Sequence, residues 1–142
     1  MGPAAFGGDV VTLSSTKPLP RRTKIRQKSR KRETHYASPQ GRSDLAYLGL
    51  VRSLPCCICE AFGMTQTSPT EAHHPICERH SSERTPDREA IPLCMCHHQG
   101  LRFDRDRSKL AIHQVKESWA FEYGSDRDWI AATQDKIAAL AA

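Results

Sequence analysis

The chain reads as a small α+β domain of strand–strand–helix type, stapled by metal ligands and preceded by a basic arm. Three observations predict it. All six cysteines and five of the seven histidines fall between Cys56 and His98. Inside that stretch two short apolar runs bracket a polar loop, and the second leads into a Cys/His-rich segment of helical character. Finally, 142 residues at 38% hydrophobic content make one domain with a modest core, the kind that needs a metal or disulfide staple.

The setting decides which staple. The start, MGPAAFGGDVV, lacks the basic residues and long apolar run of a secretory signal. Pro3 and Phe6 do not suit N-myristoylation after Gly2, and no segment reaches membrane-span length. An intracellular, cytoplasmic setting with no membrane partner is therefore expected, where clustered Cys and His are metal ligands rather than disulfides.

The net charge of +5 is unevenly distributed. Residues 1–42 carry ten Lys/Arg against two acids, and residues 43–142 carry eleven against fourteen. The positive charge thus belongs to an arm, and the division sets the expected boundary: a disordered basic arm over 1–42 and a folded domain over 43–142. The arm is rich in Gly, Pro, Ser and Thr before its basic run, and has too little apolar surface to offset its conformational entropy. Arg21, Arg22, Lys24, Arg26, Lys28, Arg30, Lys31 and Arg32 are its DNA-contacting candidates, acting by neutralising phosphates and releasing counterions. A solubilising tail or localisation signal is the plainer reading.

In the domain, Ser43 is a plausible N-cap for a helix carrying Leu45, Leu48 and Val51, ended before Pro55. Cys56 and Cys59 then form a Cys-x-x-Cys pair, and after thirty-four intervening residues Cys94 and His97 repeat the spacing. Together they make a Cys₃His set of the kind that closes structural zinc sites. Cys57 and Cys96 are potential substitutes, and Cys77 with His80 forms a further Cys-x-x-His without an obvious second half. Residues 61–70 read as a loop, Thr70–Ile76 as a strand bearing His73 and His74, and AIPLC as a second strand running into the helix that opens at Cys94. A shared zinc would tie that helix to the first knuckle and draw His73 and His74 towards His98. Further on, 116–123 reads as a helix stopped by Gly124. Ser125 and Asp128 form a capping box for a last helix, and Trp119, Phe121 and Trp129 are expected to pack this pair onto the core.

The residues LPCxxC, the HH before Pro75, PDREAIPLC, the following HH and the terminal AFEYG resemble HNH endonucleases. The resemblance is nearest to the phage recombination-enhancement-function (Ref) family and related phage and prophage proteins. It covers about residues 43–130 and implies a ββα-metal, treble-clef-like core cutting DNA in phage or prophage recombination, with a host recombinase filament as a further partner. It makes His74 the general base, and His73 and His98 ligands of a catalytic Mg²⁺ or other divalent ion. Position 102, where a further ligand is often found, is Arg102. The resemblance resumes at His113 after GLRFDRDRSKLA, so His113 becomes the later ligand and that segment an insertion. The central Asn of the motif name has no match. Asp87 stands at the acidic position before PLC, with orienting His74, binding metal, or neither as its open roles.

The chemistry fits independently. Phosphodiester hydrolysis needs an activated water, a cation facing the developing charge and a stabilised leaving oxygen. An imidazole, titrating near neutrality, can take the water's proton, and successive strand residues face opposite ways, giving adjacent histidines different duties. Imidazole ligands suit Mn²⁺, Ni²⁺ or Zn²⁺ better than Mg²⁺. The competing reading is a non-catalytic zinc module that binds DNA or recruits partners; it needs only the cysteine site.

Overall fold

Two prolines frame the entrance to the domain in the computed structural model, which describes residues 29–80, 83–100 and 109–140. Helix α1 (Arg30–Ala37) is capped by Ser29 and buries none of its residues. Helix α2 (Pro39–Ser53) starts with Pro39 in its first turn, where no amide hydrogen bond is lost, and is capped by the Ser38 side chain accepting from the Gly41 amide. The cap is therefore Ser38 rather than Ser43. The buried face follows: Asp44, Tyr47, Leu48 and Val51 point inward, while Leu45 is 44% exposed. Residues 29–42, assigned by composition to a disordered arm, thus contain α1 and the start of α2. The α1–α2 corner closes only over glycine, because a Cβ at Gly41 would lie 2.0 Å from the His35 carbonyl oxygen. Of the arm's cations, Arg30, Lys31 and Arg32 lie exposed on α1. Arg21, Arg22, Lys24, Arg26 and Lys28 lie outside the described residues.

After Pro55 come α3 (Cys57–Ala61), strand β1 (Thr70–His73), a 3-10 turn over Asp87–Glu89, strand β2 (Ile91–Cys94) and the single-turn helix α4 (Met95–His98). The strands pair antiparallel, Thr70 opposite Cys94 and His73 opposite Ile91. The expected run to Ile76 is cut short at His73, two residues before Pro75, which has no amide hydrogen to donate to a ladder. Pro92 is tolerated within β2 because both strands of a two-stranded sheet are edges. All four β2 residues are buried.

The core is small. Ile58, Ile91, Leu93, Ile112, Trp119 and Tyr123 surround the cysteines, and a second cluster joins Tyr47, Val51 and Leu54 to Ile137. Each large side chain contributes about 1.5–3 kcal/mol by burial, so few residues carry most of the apolar stabilisation. Helix α5 (Lys116–Tyr123) ends at Gly124, whose φ of 84° suits glycine. The Ser125/Asp128 capping box is present, but it caps a 3-10 turn over Asp126–Trp129 that leads into α6 (Ile130–Leu140). Trp119 is fully buried and Trp129 packs partly buried against the core. Phe121, expected to pack, is 92% exposed: its neighbours two residues either side, Trp119 and Tyr123, take the inward face. No helix among the described residues is long and apolar enough to cross a membrane.

Candidate functional site

The two Cys/His half-sites meet where the start of α3 abuts the β2–α4 junction. His97 Nδ1 lies 3.5 Å from Cys56 Sγ, 3.6 Å from Cys59 Sγ and 3.3 Å from Cys94 Sγ, and the Cys59 and Cys94 sulfurs are 3.9 Å apart. Zinc bonds of about 2.3 Å to sulfur and about 2.0–2.1 Å to nitrogen place tetrahedral ligands about 3.5 Å (S···N) and about 3.8 Å (S···S) apart. The observed distances match, and all four residues are buried; this group can hold a metal such as zinc. Burial pushes the Cys59 thiol up to about 11. The Cys94 thiol is raised by its hydrogen bond to Cys56 and by burial, whereas the same bond holds Cys56 below its ordinary value. A bound cation removes the cost of burying these thiolates.

The spare sulfurs are engaged elsewhere. Burial raises the Cys57 thiol strongly, and Cys57 lines a small apolar pocket with Pro92 and Trp129. Cys96 Sγ lies 3.2 Å from Ser68 Oγ. The Cys77 amide donates to Asp126, and His80 is exposed. None of these four residues belongs to a metal-donor group among the described residues.

A second donor group brings together His73, His98 and His113, with potential ligand atoms within 4.8 Å of one another. The chain's return after 101–108, residues outside the described set, delivers the third member. The Ile112 amide donates to the His97 carbonyl at 2.9 Å and the His113 amide to the His98 carbonyl at 3.1 Å. His98 and His113 then face each other with Nε2 atoms 3.1 Å apart, and the His73 ring centroid lies 5.0 and 5.4 Å from theirs.

Two carboxylates hold the His73 and His98 rings from behind. Asp126, fully buried, sits 3.0 Å from His73 Nε2 and accepts the Ile76 amide at 2.6 Å and the Cys77 amide at 3.1 Å. Glu71 Oε2 lies 2.6 Å from His98 Nδ1. With one nitrogen of His73 and one of His98 bound to a carboxylate, the other nitrogen of each is left to face a cation, the usual support of metal-binding histidine. The remaining nitrogen of His73, Nδ1, is buried and has no hydrogen-bond partner, as a ligand atom awaiting a metal would be. Burial lowers the His73 pKa and, with the nearby His98, that of His113, favouring the neutral form that coordinates metals. The Asp126 carboxyl, raised by burial, is lowered on balance by the hydrogen bonds from His73 and the two amides.

His74 faces away from this group. Its Nε2 lies 2.7 Å from Asp87 Oδ1, and Asp87 Oδ2 accepts the Tyr36 hydroxyl at 3.3 Å. The Asp87 side chain is nearly buried while that of His74 keeps 31% exposure, so the pair has a rigid end and an accessible one. Of the roles left open for Asp87, the geometry favours orienting His74. A third cluster of His35, Asp44 and Asp87 has its carboxylates already taken: Gln40 and Arg88 hold Asp44, and His74 and Tyr36 hold Asp87.

Asp126, Glu71 and Tyr36 escaped the sequence reading. Glu71 left a signal, since it precedes His73 by two strand positions and shares its face. Asp126 was masked by the capping box on either side of it, and Tyr36 by its place in the basic arm. No protein-family model matches the chain, and neither the curated proteins nor the solved structures it was compared with provide a match.

Proposed function

We propose that the protein is an HNH-type, metal-dependent DNA endonuclease with a structural zinc at Cys56, Cys59, Cys94 and His97. The observation that carries this reading is the three-histidine donor group, joined in the chain to a His74 that Asp87 holds; a zinc module that only binds DNA needs neither. Following the resemblance, its setting is phage or prophage recombination or DNA processing, with a host recombinase filament as a further partner and the basic residues 1–42 as a DNA tether.

His73, His98 and His113 would hold a divalent cation, which when bound would supply positive charge for the phosphate and the leaving oxygen. Asp87 holds the proton of His74 on Nε2, leaving Nδ1 to accept a proton from the attacking water, and it stabilises the imidazolium that results. The water oxygen bonds to phosphorus as the bond to the 3′-oxygen breaks. The products are a 5′-phosphate and a 3′-hydroxyl, the latter protonated from solvent. Three imidazoles form a softer donor set than Mg²⁺ prefers, so Mn²⁺, Ni²⁺ or Zn²⁺ is the better fit.

Plasmid nicking by zinc-loaded protein tests this directly. Wild-type protein is expected to nick in Mn²⁺ faster than in Mg²⁺, and His74→Ala to bind DNA normally while nicking at least about 100-fold more slowly. Unchanged nicking by His74→Ala removes the base from its role. No nicking by wild type with any of these ions, together with intact DNA binding, favours the binding module.

A further inference from the structure

A cleft of about 530 Å³ lies between α1 and the segment Arg84–Arg88. Asp87, the partner of His74, forms part of its lining, so the cleft reaches the carboxylate end of the pair assigned to proton transfer. Its walls carry Lys31 and Arg32 from α1 and Arg84 from the opposite side. All three are exposed. No described carboxylate pairs with Lys31 or Arg32, and Arg84 touches Asp87 only at 4.0 Å. Arg88 differs: it is fixed by Asp44 and Ser43 and lies over the Tyr47 ring, which makes it part of the wall. The carboxylates of its floor, Asp44 and Asp87, are already hydrogen-bonded and offer no vacant ligands to a cation. The Arg32 guanidinium sits 5.7 Å over the ring of Tyr36, whose hydroxyl holds Asp87. One wall of the cleft is therefore hydrogen-bonded to the His74 pair.

We propose that this cleft is the track for the DNA backbone flanking the cut phosphate, with Lys31, Arg32 and Arg84 contacting phosphates from its two walls. This rests on the endonuclease reading and gives that site its substrate path. Exposed cations on opposite walls suit a polyanionic strand passing between them. The basic run of the sequence continues through Arg30, Lys31 and Arg32 of α1, and Ser29, the first described residue, lines the cleft.

The test uses zinc-loaded His74→Ala protein, which cannot consume its ligand, and a fluorescent DNA duplex titrated over a range of KCl concentrations. Each lost phosphate contact lowers the log–log salt slope by about 0.9. Adding Arg32→Ala and Arg84→Ala, one from each wall, is therefore expected to lower the slope by about 1.8 and affinity by at least about tenfold. The control pair Arg52→Ala and Lys116→Ala removes equal charge from exposed positions outside the cleft and is expected to change the slope by much less. An equal drop in both pairs, or no drop in the cleft pair, overturns the proposal. Failure of the endonuclease reading is seen separately, as wild-type protein that binds the duplex but does not nick plasmid.

Discussion

His73 and His74 are chain neighbours held by different carboxylates, one on each face of the strand's end. His73 turns inward to Asp126 and is buried; His74 turns outward to Asp87 and keeps solvent access. The doublet and its alternation were readable from period-two geometry, but the partner of His73 was not, because Asp126 is more than fifty residues away in sequence. A residue-scale prediction follows from that partner. Asp126→Asn keeps the shape but loses the charge behind His73, and the affinity of the second site for Mn²⁺ is expected to fall about 10–100-fold. Calorimetric titration of the zinc-loaded protein measures this. Zinc content should not change, since Asp126 is not among the four residues of the cysteine group. An unaltered Mn²⁺ affinity would show that the carboxylate serves only the Ile76 and Cys77 amides.

At the scale of elements, the sequence was legible wherever a local rule acted alone. The Cys-x-x-Cys and Cys-x-x-His spacings, the Gly124 stop and the Ser125 capping box are all seen in the structure. Helix α2 was misphased because Ser43 is as good a cap chemically as Ser38, and only Pro39 in the first turn distinguishes them. Helix α1 was missed because composition describes what a segment can bury, and α1 buries none of its residues. Its position depends on the glycine corner. Gly41→Ala drives a methyl group into the His35 carbonyl, and the corner must open. The expected cost is about 1–3 kcal/mol, as for other overpacked contacts, read as a lower urea midpoint. Because Tyr36 then moves from Asp87, nicking should fall while zinc content stays at the wild-type level. A variant with normal nicking would uncouple α1 from the His74 pair.

For the whole molecule, the question is whether the apolar core or a zinc bound at the cysteine group would be the larger source of stability. Of the two small clusters of buried side chains, one is built around the cysteine group, and the elements around it are short: α3 has five residues, each strand four, and α4 four. Helices and hairpins of that length are not stable alone. Structural zinc in small domains contributes about 10–16 kcal/mol of apparent binding energy at neutral pH. That equals or exceeds the entire net stability of a typical domain, about 5–15 kcal/mol. The metal-free protein is therefore expected to be unfolded at 25 °C, with chelation and unfolding appearing as one transition in circular dichroism. The same argument separates ligands from bystanders. Cys59→Ala leaves three ligands and is expected to purify without zinc and largely unfolded. Cys57→Ala and Cys96→Ala remove sulfurs outside the group and should keep one tightly held zinc per chain, losing the packing of a small side chain and, at Cys96, the contact with the Ser68 hydroxyl. Measuring zinc by elemental analysis beside the far-ultraviolet spectrum tests both halves together. Loss of zinc from Cys57→Ala would mean that a neighbour had replaced Cys56 or Cys59 as ligand, and the start of α3 would then have to rotate to present it.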